Sequence, residues 1–444
     1  FITSSYNRSS VKRPLFKKWY FLTRYFLMRI KLALGVAALT AFSPMTALAT
    51  NGYFSHGYGT ISKGMAGAGT ALSQDSIAAP TNPAGMAFVG NRIDGGFEVF
   101  SPRREYTVEG PVSPPPAFSL QPGTYKSSRN GFVIPHLGFN RELSDTTRFG
   151  VSVYANRGMN TDYSGESGGP FYAGRTGVNL EQLFIAPTWS WEFSDNQAFG
   201  ISPVIAYQRF EAEGLQSFAP FSSDPGALSN NGTDDAWGYG YQIGWQGEIT
   251  DTLRGGLSWR NILKMNEFDK YRGLFAEQGD FDIRQMFNAG IAWSGLENHW
   301  FLLDIQHIRY SEINSVGNPL LPNLQTAQLG DDNGAGFGWD DMTIVKLGWQ
   351  WQQTPAHAWR AGISYGENPI SDEDVLFNIL APGVQEWHLT GGFTHSFTEN
   401  LDVSGMAFYS PAKTVTGPNP LAPNQTIDLE MYQLGASVSV GWKY

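Results

Sequence analysis

The stretch Trp237-Gly238-Tyr239-Gly240-Tyr241-Gln242-Ile243-Gly244-Trp245 alternates a large apolar side chain with a small or polar one at every step. A period of two belongs to a β-strand with one apolar face, because successive side chains point to opposite sides of a sheet. The same period recurs at Phe199, Ile201, Pro203, Ile205 and Tyr207, at Phe301, Leu303 and Ile305, at Val345, Leu347, Trp349 and Trp351, and at Trp359, Ala361, Ile363 and Tyr365. Strands are expected near 92–102, 131–142, 147–157, 181–193, 197–210, 235–249, 252–262, 282–294, 299–309, 341–352, 357–366, 384–397, 400–410 and 428–444, about fourteen in all.

The connections alternate in length. Short turns such as Leu143-Ser144-Asp145-Thr146, Ser194-Asp195-Asn196, Thr250-Asp251-Thr252 and Thr398-Glu399-Asn400 separate long segments at 103–130, 158–180, 211–234, 263–281, 310–340, 367–383 and 411–427. In an up-and-down sheet this places the short turns on one rim and the long loops on the other, the asymmetry of an outer-membrane barrel. The face opposite the apolar one carries charge at Arg254, Arg260, Arg284, Asp304, Lys346 and Arg360. A soluble sandwich or propeller would bury its apolar face in protein. Here the polar face lines a wet lumen and the apolar face, with Trp and Tyr near strand ends, meets lipid. The chain closes on Leu434, Ala436, Val438, Val440, Trp442 and Tyr444, an alternating terminal strand with a C-terminal aromatic, similar to the assembly signal read by the barrel-assembly machinery of bacterial outer membranes.

Composition agrees. The 444 residues include 51 Gly, 14 Trp, 19 Tyr and 30 Phe, with only 16% charged residues, which excludes a disordered chain. With 30 Lys+Arg against 40 Asp+Glu, the acidic balance makes nucleic acid an unsuitable partner. The absence of cysteine excludes disulfides, Cys-based zinc sites and a Cys nucleophile. Met28-Arg29-Ile30-Lys31, the apolar stretch Leu32 to Phe42 and Ala47-Leu48-Ala49 form the charged, apolar and A-x-A parts of a secretory signal peptide over 28–49. Residues 1–27 are read as an upstream mis-call of the reading frame.

Residues 50–91 lack the two-residue period and are rich in Gly and Ala. A short helix is expected from Ala66 to Ser73, stopped by Ala79-Pro80 and Asn82-Pro83. A fourteen-stranded lumen is too wide for strand side chains to fill, so this compact segment is expected inside it as a plug ahead of the barrel at 92–444. The run Gly52-Tyr53-Phe54, Gly57-Tyr58-Gly59, Lys63-Gly64-Met65-Ala66-Gly67-Ala68-Gly69, Asp75-Ser76 and Asn82-Pro83-Ala84-Gly85-Met86 resembles the N-terminal hatch of the FadL-type outer-membrane transporters of long-chain fatty acids and hydrocarbons. Met159-Asn160-Thr161-Asp162-Tyr163 and the stretch Gly177 to Thr188 are similar to that family as well.

The resemblance implies an all-β, fourteen-stranded transmembrane barrel plugged by a hatch, with Asn82, Pro83 and Ala84 as the hatch motif. It implies a monomer in the outer membrane of a Gram-negative bacterium, set in lipid and lipopolysaccharide. Hydrophobic molecules would land in an external groove, pass to an inner site and leave sideways beside a kinked third strand, with Gly158 the candidate kink. No enzyme activity and no cofactor are implied. The apolar loop residues Leu215, Phe218, Phe221, Phe268, Leu274 and Phe275 are groove candidates, and Arg157, Arg260 and Lys346 are candidates to pair with a ligand carboxylate.

Two rival readings have their own residues. A general porin for hydrophilic solutes fits the barrel but not the plug. A barrel hydrolase would rest on Gly165-Glu166-Ser167-Gly168-Gly169, which fits G-x-S-x-G but lies in a Gly-rich loop instead of a strand-turn-helix. The histidines at 56, 136, 299, 307, 357, 388 and 395 show no metal-ligand spacing, and Asp331, Asp332, Asp340 and Asp341 read as a solvated acidic loop.

Overall fold

The computed structural model describes residues 51–165 and 168–444. Fourteen long strands form the wall: β1 Arg92–Glu109, β2 Phe132–Glu142, β3 Thr147–Asn156, β4 Gly177–Ser194, β5 Gln197–Glu213, β6 Asp234–Thr250, β7 Leu253–Arg260, β8 Met286–Trp293, β9 His299–Ile308, β10 Met342–Thr354, β11 His357–Gly366, β12 Trp387–Ser396, β13 Leu401–Pro418 and β14 Thr426–Lys443. Each pairs antiparallel with its sequence neighbours. Two-residue Lys264–Met265 adds to β6, and Gly123–Lys126 adds to β1. The seam closes between β1 and β14, in register from Arg92↔Lys443 to Glu109↔Thr426. Closure joins the first and last strands, so the sheet has no terminal edge facing hydrocarbon.

From β1 to Ser410 of β13 the even-numbered side chains point inward. A register shift between Ser410 and Lys413 then reverses the parity, so that odd residues face inward through β14. The outward face exposes Trp189, Phe199, Trp237, Tyr239, Leu347 and Trp442 to the lipid side, and Arg260, Asp304, Lys346 and Arg360 are buried on the lumen side.

Residues 51–91 fill the lumen, bound by carboxylates and amides of the wall. Asp304 accepts from the Gly69 and Thr70 amides at 2.8 Å and from the Thr70 hydroxyl at 2.7 Å. Asp94 accepts from the Ser76 amide at 2.8 Å and its hydroxyl at 2.6 Å. Thr60 meets Ser437 at 2.8 Å, and Gln242 donates to the Pro80 carbonyl at 3.1 Å. The wall admits the plug by carrying glycine where the two backbones approach. A Cβ on Gly200 would overlap Pro83 and Ala84, on Gly256 Thr70, and on Gly362 Met65 and Ala66. Gly200→Val is expected to push the plug off the wall and speed protease cleavage within 51–91, with the folded barrel's electrophoretic mobility unchanged.

The plug's local structure differs from the sequence expectation. No helix spans Ala66 to Ser73. An α-helical turn forms earlier, at Thr60–Lys63, and the left-handed backbone of Ala66 (φ 55°) and Gly67 (φ 83°) breaks any continuation. Proline at 83 starts a 3₁₀ helix over Pro83–Phe88 instead of stopping one. At the first helical position a missing N–H costs nothing. Asn82 caps it: its Oδ1 accepts from the Ala84 amide at 3.1 Å, and its Nδ2 donates to the Thr70 and Trp245 carbonyls, both at 2.8 Å. Asn82→Ala strands these buried groups, at about 1–3 kcal/mol each. Amide exchange at 82–88 is expected to rise at least tenfold, with strand β6 unaffected.

Candidate functional site: a covered pocket, an inner charge cluster and a break in the wall

The long loops fold inward over the plug and build one apolar core with it. Within that core Leu215, Phe218, Leu274 and Phe275 line a common pocket with Phe210 and Leu228. Phe218 comes from the 3₁₀ helix Gln216–Phe221 and Phe275 from the tip after Asp269–Tyr271. The pocket is nearly shut, with about 30 Å³ of free volume, room for a water molecule and not for a ligand. Phe268 supports it from behind, its ring 5.6 Å from Phe210 and 6.1 Å from Phe275. Phe221 lies outside, 41% exposed, where its carbonyl accepts from Leu329 at 2.8 Å.

Sequence reading missed the roof of this pocket: Phe337, Phe377 and Leu380, from loops 310–340 and 367–383. The signal was present, since these loops are as apolar in places as 211–234. Asn378 fixes them together, accepting from the Trp339 indole at 2.7 Å and donating to the Phe337 carbonyl at 2.7 Å. Asp374 braces the same joint through the Leu320 amide at 2.8 Å, and burial raises its carboxyl above the usual range. The acidic residues of the 331–341 loop do not converge. Asp331 accepts from Gln328 at 2.8 Å, Asp332 from Gln278 at 3.0 Å, and Asp341 from Ser311 at 2.7 Å.

Aromatic rings continue from the pocket to the plug, Phe275 to Phe281 at 4.9 Å and Phe281 to Tyr53 at 6.0 Å. Below lie the three candidate cations, which do not meet. Arg260 sits over Phe54 at 5.0 Å and Phe184 at 5.8 Å. Lys346 donates to the His56 carbonyl at 3.0 Å. Arg157 lies over Phe100 at 4.1 Å and Phe408 at 4.9 Å, and is ion-paired with Glu98. The other oxygen of Glu98 is held by Lys63 of the plug, and all three side chains are buried. Sequence reading did not find Glu98, because the three partners are far apart along the chain and the contact exists only in the fold.

Glu98 and Arg157 stand beside an interruption in the wall. The β2–β3 ladder runs from Glu142↔Arg148 only as far as Leu137↔Val153, whereas β3 stays paired to β4 through Asn156↔Gln182 and β2 stays paired to β1 through Phe100↔Phe132. Tyr154, Ala155 and Asn156 therefore have no strand partner on the β2 side. Pro135 marks the place, because a proline lacks the N–H a ladder needs and belongs at a strand edge. β3 ends at Asn156, and Gly158 follows with φ 68°, its amide donating to the Tyr53 carbonyl of the plug at 3.0 Å. Phe100, Phe132, Ile134, Met406 and Phe408 form an apolar cluster packed against Ala155 at this interruption.

A closed membrane barrel with its lumen filled by its own N-terminal segment, an apolar pocket above it and a break in its side is an outer-membrane channel for hydrophobic molecules. The chain belongs to the outer membrane protein transport protein (OMPP1/FadL/TodX) family, whose model matches residues 43–419. It is similar to the long-chain fatty acid transport protein of Escherichia coli O6:H1, 20% identical over 316 residues that cover 64% of this chain and 70% of that one. Its fold is similar to the Pseudomonas putida toluene transporter TodX (TM-score 0.64, 18% identity, 89% of this chain and 100% of that one). A Pseudomonas aeruginosa FadL homologue is comparable (TM-score 0.63, 15% identity, 90% and 100%). The family places the protein in the outer membrane of a Gram-negative bacterium, as a transport channel and not an enzyme. Glu166 and Ser167 of the hydrolase-like motif lie outside the described residues, as does the expected signal peptide.

Proposed function

We propose that the protein takes up long-chain fatty acids or other hydrophobic molecules passively, through capture in the loop pocket, rearrangement of the plug and exit sideways between β2 and β3. The observation that carries this reading is the interrupted β2–β3 ladder beside an apolar cluster, with the lumen below filled by residues 51–91. Lateral exit suits such a cargo, because an apolar solute is expelled by a wet lumen and accepted by lipid. The pocket of Leu215, Phe218, Leu274 and Phe275 serves as the landing site once its roof lifts. Gly158 lets the chain turn inward at the end of β3, and Asn82, Pro83 and Ala84 seat the hatch. The protein works as a monomer among lipid and lipopolysaccharide, after insertion by the barrel-assembly machinery.

The test is uptake of a labelled long-chain fatty acid by a deletion strain carrying the intact gene or one lacking residues 51–91. Restoration by the intact gene is expected. If the intact gene restores uptake of neither a fatty acid nor a neutral hydrocarbon, the reading fails.

A further inference from the structure

The lipid-facing surface of the wall is not flush. Across β4 to β9 it carries an apolar furrow of about 800 Å³. The furrow lies between two neighbouring outward rows of the ladder. One row runs from Trp191 through Leu257 to Ile305, the other from Trp189 through Trp259 to His307. Its floor is the row between them, Gly200, Gly244, Ser258 and Asn288, which faces the lumen. A Cβ on Gly200 would overlap Pro83 and Ala84, and one on Gly244 would overlap Asn82. The floor is therefore a single layer of backbone with the plug against its inner side.

The dimensions select an occupant. Six strands at a spacing of ~4.8 Å make the furrow about 24 Å long, and two residues at ~3.4 Å set its walls about 7 Å apart. An α-helix, with a diameter of ~10–12 Å, is too thick for it, and a second barrel is convex. An extended hydrocarbon chain has the right outline. Strands tilted by ~35–45° make a row across them climb by roughly 15 Å over this length, one leaflet of a ~30 Å hydrocarbon core. The lower end is at Trp191, near the short-turn end of β4, and the upper end is at His307, near the loop end of β9.

The lower end also carries polar groups. The Trp245 indole donates to Gln197 at 3.0 Å and the Trp259 indole to Gln285 at 3.2 Å. The exposed Trp189 and Trp191 indoles make no hydrogen bond among the described residues. Tryptophan at this depth places its ring in hydrocarbon and its N–H among lipid head groups.

We propose that the furrow holds one acyl chain of a phospholipid from the leaflet on the short-turn side, with the Trp189 and Trp191 indoles donating to the oxygens of its ester linkages. This site is independent of what the channel carries.

The test is native mass spectrometry of the purified full chain, released from detergent micelles with 1-palmitoyl-2-oleoyl-phosphatidylethanolamine added. The unsubstituted protein is expected to retain one phospholipid per barrel. Ala289→Trp and Leu257→Trp, which fill the furrow from one of its own rows, are each expected to weaken that retention at least tenfold. Ala407→Trp, on the outer face of β13 and outside the furrow, is expected to change it less than twofold. Replacing both Trp189 and Trp191 by Phe keeps the rings, removes the N–H groups and is expected to weaken retention at least threefold. Heat-dependent migration confirms the fold of each variant. Four results overturn the assignment: no retained phospholipid, equal weakening by Ala407→Trp, tighter retention of lipid A, or dimers of the unsubstituted protein that Ala289→Trp abolishes, which would give the furrow to a second copy. None of them touches the uptake reading.

Discussion

Glu98→Ala is expected to leave the barrel closed and its plug loose. In the native chain one carboxylate joins Lys63 of the plug to Arg157 at the end of β3, and all three side chains are buried. Removing the acid leaves two cations facing one another out of water. Breaking a buried pair by deleting one partner costs roughly 3–5 kcal/mol, a shift of about two to three and a half powers of ten in a two-state equilibrium. That strain falls on the plug and the tip of β3. The β1 ladders to β2 and β14 do not depend on it. The readouts are single-channel conductance in planar bilayers and sensitivity of cells to a bulky antibiotic, both expected to rise sharply. Lys63→Met should do less, since it leaves Glu98 and Arg157 as a neutral pair. Conductance of Glu98→Ala equal to that of the unsubstituted protein, with the folded barrel confirmed by heat-dependent migration, would show that the cluster holds nothing shut.

Ala155→Trp should stop uptake while leaving capture intact. Ala155 is half-buried at the interruption between β2 and β3, packed on the cluster of Phe100, Phe132, Ile134, Met406 and Phe408. An indole buries some 150–250 Å², enough to fill the space where the ladder is missing. Labelled fatty acid uptake is expected to fall at least tenfold. Ligand binding at the loop pocket, whose lining does not include Ala155, is expected to change less than twofold. Because the chain has no cysteine, a single Ala155→Cys can repeat the experiment chemically: uptake is normal until a bulky lipid-soluble maleimide is added. Cysteine at Ala407, exposed on the outer face of β13, is the control. Unchanged uptake by Ala155→Trp would send the exit route elsewhere.

The fourteen strands were legible because lipid on one side and a plugged lumen on the other impose a strict period of two. What the period misjudged was where strands end. β1 continues to Glu109, β4 starts at Gly177, and β13 reaches Pro418. In those extensions the alternation persists with its sense reversed. Arg103, Glu105 and Thr107 face out while Tyr106 and Val108 are buried inside, and Thr426 and Asp428 face out while Ile427 and Leu429 are buried. Above the membrane the wall meets water and encloses the loops' apolar core, so it is built like a soluble barrel. An apolar-out criterion reads such a stretch as loop. The site was legible to the extent that apolar residues in external loops are out of place, which finds Phe218 and Phe275. The Lys63–Glu98–Arg157 contact depends on neighbours brought together by barrel closure, and spacing along the chain carries no trace of it. Pro135 was the local mark of the interrupted β2–β3 ladder, hidden inside a strand that otherwise alternates well.

The plug touches β1, β6, β9 and β14 by hydrogen bonds or ion pairs, and the seam between β1 and β14 is paired along its whole length. That arrangement has an order of assembly built into it. β1 and β14 are the first and last of the fourteen wall strands, and once they zip together the interior is sealed around whatever lies within. Residues 51–91 must therefore already rest among the earlier strands when the seam closes, serving as a mandrel about which the cylinder is wound. A separately made plug peptide is expected not to reseal a hatchless barrel, even though every partner it needs is still present on the wall.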